Sequence, residues 1–308
     1  MEMNKNILEV KNLSVSFKMY DKGLEQKDLK VISNLNISVK KGEILAIAGS
    51  SGSGKSLLAS AILGILPGNA TVSGEMLYCG QPLTTEMQKR LRGKEIALVP
   101  QSVAYLDPLM HVGKQVVGVR GTVAKMKAAF KRYELSEEVE KMYPFQLSGG
   151  MSRRILVSTA VIGDAKLIVA DEPTPGLSKE MAEDTMGHFR SLADEGRGVI
   201  LITHDIDLAF EYADRVAVFY AGTTVETASV EDFKKGPEAL RHPYSKALWE
   251  ALPQNGFKSI PGTQPYAGSL PAGCLFSPRC KYRTEECMKK AIPVRSVREG
   301  EVCCIHAT

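Results

Sequence analysis

Hydrophobic and polar positions alternate over residues 7–17, with Leu8, Val10, Leu13, Val15 and Phe17 as the apolar positions. That period of two predicts a half-buried strand, and residues 31–39 repeat it. Between them, residues 21–30 are charged and read as an exposed loop. A different texture begins at Ile44, where short unbroken apolar runs predict strands buried on both faces. These runs are residues 44–48, 96–99, 167–170, 199–204 and 215–220, with a further strand over 72–78. Helices are expected over 55–66, stopped by Pro67-Gly68, and over 179–194 and 205–213. Strands alternating with helices imply a mostly parallel sheet, so the fold class is α/β with an antiparallel layer at its start. Residues 102–162 break the alternation with glycine-punctuated helical spacing and read as a helical insertion. Beyond Thr227 the regularity fades into a proline-marked extension. The domain reading is therefore a core over 1–230 carrying the insertion, then an extension over 231–308 ending in a cysteine-rich tail.

The run at 44–48 leads into Gly49, Ser50, Ser51, Gly52, Ser53, Gly54, Lys55 and Ser56. Strand, glycine loop and helix in this order form a phosphate-binding loop. Glycines let successive N–H groups turn toward phosphate oxygens, and the helix start adds its positive dipole end. Lys55 is expected on the terminal phosphates of a nucleoside triphosphate and the Ser56 hydroxyl on Mg²⁺. Asp171 and Glu172 end another apolar run, where one carboxylate can hold Mg²⁺ through its water shell and the next can polarise an attacking water. Gln101 and His204 also close apolar strands. Gln101 can bridge Mg²⁺ and the water, and His204 can donate to the γ-phosphate. Phe17 or Tyr20 could stack on an adenine, although strand-end aromatics more often serve packing. Leu147-Ser148-Gly149-Gly150-Met151 supplies a second anion cradle, so Ser148, Gly149 and Gly150 are expected to complete a site on another chain.

Composition narrows the class little. The 308 residues carry 39 Lys and Arg against 35 Asp and Glu, a net charge of +4 that is too slight to argue for nucleic acid. No stretch approaches the roughly 20 apolar residues that span a bilayer. The polar residues 1–6 show no signal-peptide pattern. Of the six cysteines, Cys79 stands apart while Cys274, Cys280, Cys287, Cys303 and Cys304 crowd the end. In a reducing compartment such a cluster reads as metal-ligating before disulfide-bonded. The two-residue spacings of zinc ribbons are missing, and all-cysteine ligation suits an iron–sulfur cluster; zinc and free thiols are the alternatives.

Taken in order, the loop at 49–56, Gln101, the motif at 147–151, residues 167–172 and His204 resemble the ATP-binding subunit of an ABC transporter over roughly residues 7–230. Pro100-Gln101, Leu106-Asp107-Pro108, Val112-Gly113-Lys114-Gln115, Met151, Arg241-His242-Pro243-Tyr244, Pro261-Gly262 and residues 273–280 narrow the resemblance to the oligopeptide, dipeptide and nickel importer group. This resemblance implies ATP hydrolysis coupled to solute import, with Mg·ATP clamped head to tail between two ATPase subunits. Glu172 would then act as general base. It also implies two membrane permease subunits, an extracytoplasmic solute-binding protein, no nucleic acid, and a peripheral position on the cytoplasmic side of the cell membrane. Peptides are the first cargo and nickel the second, the latter because residues 63–67 and 143–145 resemble the nickel branch. A soluble ABC ATPase of DNA repair or translation, or a redox-responsive regulator, would be the other classes. The family's 4Fe–4S cluster would fall to Cys274, Cys280, Cys287 and Cys304, leaving Cys303 spare because the family has one cysteine there. Two departures matter. Pro175-Gly176-Leu177-Ser178 stands where the family has Thr-Ala-Leu-Asp, so pairing with a related but non-identical ATPase is expected, a homodimer that tolerates serine being the alternative. The segment between Gln101 and Ser148 is also shorter than in most relatives. The nucleotide site and the cysteine tail, far apart in the chain, are expected to act independently.

Overall fold

Apolar alternation against a neighbouring layer draws the first two strands together. In the computed structural model, which describes residues 6–20, 25–118 and 121–308, β1 (Asn6–Tyr20) and β2 (Gln26–Lys40) form a long antiparallel pair. Of the loop expected over residues 21–30, residues 21–24 lie outside the described residues, as do residues 1–5 at the start of the chain. Residues 26–30 are strand: residues 26–28 remain exposed, Leu29 and Lys30 are half-buried, and the stretch pairs with the end of β1, as Lys27 does with Met19. β3 (Ile44–Gly49) follows, buried on both faces, and passes through the loop into α1 (Lys55–Leu63). This helix ends at Gly64, three residues before the expected stop. Gly64 adopts a left-handed conformation, and Gln88 Nε2 donates to the Ala61 and Ile62 carbonyls at 2.7 and 3.2 Å.

β4 (Ala70–Tyr78) and β5 (Gln81–Pro82) complete a four-stranded sheet in the order β2-β1-β4-β5. α2 (Thr85–Leu91) and β6 (Ile96–Val99) lead to the helical insertion, made of α3 (Val112–Val117), α4 (Val123–Arg132) and α5 (Gly149–Val161) with short 3₁₀ turns. β7 (Leu167–Asp171), α6 (Lys179–Asp194), β8 (Gly198–Ile202), α7 (Ile206–Tyr212) and β9 (Arg215–Tyr220) return to the alternation. Strands β9-β3-β8-β7-β6 are mutually parallel. Their two faces feed separate apolar cores: one against the helical insertion and α6, the other against the antiparallel sheet and α1.

The extension is more regular than its sequence suggests. β10 (Thr223–Ser229) doubles back on β9 and is followed by α8 (Val230–Lys234), α9 (Pro243–Glu250) and α10 (Glu286–Lys289). β11 (Arg295–Val297) and β12 (Gly300–Val302) then join the large sheet, giving β11-β12-β10-β9-β3-β8-β7-β6. A buried ion pair fastens this edge. Glu226, 1% exposed, accepts from the Arg241 and His242 backbones at 2.9 and 2.8 Å and meets the Arg241 guanidinium at 3.3 Å. The Arg241 side chain also reaches Asp232 and the Val297 and Arg298 carbonyls. Among the described residues, no helix is long and apolar enough to cross a membrane.

Candidate functional site

Close approach dictates Gly49, the first glycine of the loop. A Cβ at Gly49 would stand 2.4 Å from the Phe219 carbonyl oxygen, so only glycine lets β3 leave the sheet beside β9. Gly54 sits in the left-handed region immediately before α1 and directs the first N–H groups of that helix into the loop. The Gly222 N–H donates to the Ser53 carbonyl at 3.1 Å, so the β9–β10 turn supports the loop from below. Lys55 Nζ donates to the carbonyls of Gly49 and Ser50 at 2.9 and 3.0 Å. Burial lowers the Lys55 pKa, and the carboxylates of Glu172 and Asp171 oppose that shift.

The loop forms one wall of a cavity of about 560 Å³ whose other walls include Val31, Gln101, Glu172 and His204. Asp171 borders it from the end of β7. Burial raises the Asp171 pKa, opposed first by a hydrogen bond from Ser56, while neighbouring Glu172 raises it further. One Asp171 oxygen, Oδ1, is buried without a hydrogen-bond partner. A carboxylate with an open buried oxygen, beside a serine hydroxyl at the start of a helix, fits a hydrated divalent cation. Glu172 takes a positive φ of 51°, an uncommon conformation for a non-glycine residue, and its N–H donates to the Ile202 carbonyl at 2.9 Å. Its Oε2 lies 2.7 Å from His204 Nδ1. The sheet thus brings together Gly49, Ser51, Gly52, Ser53, Gly54, Lys55, Ser56, Gln101, Asp171, Glu172 and His204.

Ser148, Gly149 and Gly150 lie at the start of α5 and do not line this cavity. The Ser148 hydroxyl accepts from the Met151 N–H at 3.3 Å, and a Cβ on Gly150 would lie 3.3 Å from the Gly176 carbonyl oxygen. Phe17 packs at the margin of the second core and Tyr20 is 68% exposed; neither lines the cavity. Ser178, at the family's aspartate position, caps α6 by accepting from the Met181 N–H at 3.3 Å. Serine caps as aspartate does but brings no carboxylate.

Sequence reasoning missed Arg153. Its guanidinium donates to the Pro100 and Gln101 carbonyls, both at 2.8 Å, tying the second glycine motif's helix to the strand end that carries Gln101. Burial lowers its pKa against the opposing pull of Glu172 and Asp171. The available signal was a basic pair, Arg153-Arg154, directly after a glycine motif and within an otherwise inward-facing helix stretch.

In the tail, burial pushes Cys274 up to about 11, with Cys304, Cys280 and Cys287 adding to the shift. The Cys304 pKa is likewise raised by burial and by Cys280 and Cys287. Cys287 Sγ lies 3.4 Å from His306 Nε2. Burial pushes Cys303 up to about 12, with Cys274 and Cys304 among its neighbours. Among the described residues, no group of three or more Cys, His, Asp or Glu converges to hold a single metal ion.

Comparison with known proteins agrees with this geometry. Residues 32–175 match the ABC transporter family, and residues 225–287 match the oligopeptide/dipeptide transporter C-terminal region. A putative peptide import ATP-binding protein of Brucella abortus (strain 2308) is 34% identical over 96% of this chain and 92% of its own length. The oligopeptide transport ATP-binding protein OppD of Escherichia coli (strain K12) is 33% identical over 96% of this chain and 91% of its own. Among solved structures, a dimeric post-hydrolysis state of the ATP-binding cassette MJ0796, bound to ADP and Pi, superposes with a TM-score of 0.64. It is 26% identical and covers 72% of this chain and 98% of its own. This chain belongs to the ATP-binding subunits of ABC transporters, in their oligopeptide/dipeptide branch.

Proposed function

We propose that this chain is an ATP-hydrolysing motor subunit of a peptide importer, docked peripherally on the cytoplasmic side of the membrane. The observation that carries the reading is one cavity walled by the glycine loop, Gln101, Glu172 and His204, in a chain whose relatives along nearly its whole length are peptide import subunits. Those relatives favour peptides over nickel as cargo.

Lys55 exchanges the Gly49 and Ser50 carbonyls for phosphate oxygens, and the loop's N–H groups bind the remainder. Ser56, Asp171 and Gln101 would hold Mg²⁺, which when bound neutralises phosphate charge and orients the transferred group. Glu172 accepts the proton of the attacking water, and His204 holds the Glu172 carboxylate in place before contacting the terminal phosphate. Ser148, Gly149 and Gly150 lie outside this cavity and complete the site of a partner subunit. Because Ser178 supplies no carboxylate, the partner is a related ATPase that retains the family's aspartate.

Two permease subunits meet the chain where the helical insertion joins the core. That boundary is an open groove of about 540 Å³, lined in part by Leu98, Tyr105, Val117 and Ile162. Leu109, 86% exposed, and Phe145, 75% exposed, add apolar surface on the insertion. A solute-binding protein on the far side of the membrane delivers cargo. Residues 231–308 act as an extension in which Cys274, Cys280, Cys287 and Cys304 would hold a 4Fe–4S cluster; an all-cysteine donor set without zinc-type spacing supports that choice.

The test is purification of the assembled complex from membranes. Permeases, a second and different ATPase, and hydrolysis stimulated by a peptide-loaded binding protein are expected. Two copies of this chain with no second ATPase would refute the pairing, and absence of permeases would refute the transporter reading.

A further inference from the structure

Far apart in sequence, the C-terminal extension and the glycine loop meet in the fold. The Ser50 hydroxyl, in the second position of the glycine loop, donates to Gln264 Oε1 at 2.7 Å across 214 positions of chain. Tyr244, 2% exposed on α9, neighbours the same serine: burial raises the phenol's pKa and Ser50 pulls it back down.

The tail segment bearing Gln264 is held in place. Arg279 donates from Nη2 to the Ile260 carbonyl and from Nε to the Pro261 carbonyl, both at 2.7 Å. Its guanidinium carbon stands 5.9 Å from the ring centres of both Tyr220 and Phe276, and Nη1 reaches the Tyr220 hydroxyl at 3.4 Å. Tyr220 and Tyr244 pack with ring centres 4.5 Å apart. Gly262 turns at a φ of +75°, which brings the chain from Arg279 toward the loop. Arg279 itself immediately precedes Cys280.

We propose that Gln264 is a positioning residue for nucleotide binding, a strut from the C-terminal extension that fixes Ser50 and thereby the curl of the phosphate loop. The inference rests on the nucleotide-site reading above. A loop whose N–H groups must converge on phosphates binds best when its curl is set beforehand, because ordering it on binding costs affinity. Gln264 sets it from outside the cavity, contacting the hydroxyl of Ser50 and not the nucleotide. Arg279, next to Cys280, holds the backbone at Ile260 and Pro261 from which that strut extends.

The experiment titrates the full purified chain with Mg·ATP carrying a fluorescent N-methylanthraniloyl group on its ribose, alongside thermal unfolding without nucleotide. Gln264→Leu keeps the side-chain volume and removes the acceptor. It is expected to weaken binding about 3–10-fold, the range of one net hydrogen bond, with the unfolding midpoint unchanged. Ser50→Ala should lose as much and the double variant no more than either, while Ser50→Thr, which keeps the donor, should bind as the wild type does. In the assembled complex, KM for ATP should rise in Gln264→Leu while kcat stays. Arg279→Met should weaken binding in the wild-type background and add nothing to Gln264→Leu. Wild-type affinity in Gln264→Leu, or additive losses in the double variant, would overturn the strut. A wild-type chain that fails to bind the nucleotide would instead overturn the nucleotide-site reading beneath it.

Discussion

Replacing Glu172 by glutamine removes a base while preserving its shape. The side chain is 10% exposed and fixed by the 2.7 Å contact to His204 Nδ1, which an amide can also make. Exchanging a charge-assisted hydrogen bond for a neutral one costs about 1 kcal/mol. An opposing gain comes from Asp171, whose raised pKa owes something to the neighbouring Glu172 charge and relaxes downward when that charge goes. The backbone strain at φ 51° is the same for either residue. The two effects leave stability within about 1 kcal/mol of the wild type, or roughly 2–4 °C in unfolding midpoint at most. Turnover is another matter. Loss of a positioned general base costs about 10²–10⁴-fold, equivalent to roughly 3–5 kcal/mol in the barrier. Phosphate release by the assembled complex at saturating ATP reads that loss. Nucleotide titration of the isolated chain reads binding, which should survive. Near-wild-type phosphate release in Glu172→Gln would remove Glu172 from the role of base, and lost binding would refute the isosteric reasoning.

Two further outcomes follow from the extension. Chain purified without air should be brown, and Cys274, Cys280, Cys287 and Cys304 should each be required for the broad visible absorption while Cys303 and Cys79 are dispensable; stoichiometric zinc without iron would overturn the cluster. Burial pushes His242 down to about 3, so the folded chain keeps this residue neutral while the unfolded chain takes up its proton near 6.5. Its contribution to stability is therefore complete above about pH 6.5 and declines as pH falls toward 3, amounting to about 2 kcal/mol by pH 5. Urea midpoints at pH 8 and pH 5 should differ less in His242→Asn, which preserves the cap that His242 Nδ1 gives the Tyr244 N–H; an unaltered difference would show that other groups carry the acid sensitivity.

The residues around the nucleotide cavity were legible because each one punctuates a local pattern. Glycines follow an apolar strand at Gly49, carboxylates end another at Asp171 and Glu172, and single polar residues close two more at Gln101 and His204. Strand and helix periods place such residues at one end of a parallel sheet without knowledge of distant contacts. Residues 223–229 resisted the same reading. Thr-Thr-Val-Glu-Thr-Ala-Ser looks half polar, yet β10 is largely buried because Arg241 neutralises Glu226 from outside the strand. β11 and β12 are too short for a period to register, and the contact of Ser50 with Gln264 joins residues that no local pattern connects. Arg153 was overlooked for a similar reason: it serves the cavity through the Pro100 and Gln101 carbonyls, and its partners become visible only once α5 packs beside β6.

The pairing of β10 with β12 also governs the order in which the molecule can be completed. Glu226 faces Val302 across that ladder, so the edge of the large sheet stays unfinished until the chain has been synthesised through residue 302. Until then β10 offers an unpaired backbone edge to any neighbouring strand, and Glu226 waits for partners that include residues much later in the chain. Long-range pairing of this kind is slow to close. A nascent or truncated chain ending near residue 230 would therefore present a sticky sheet margin, and premature termination there should yield aggregation in place of a smaller working ATPase.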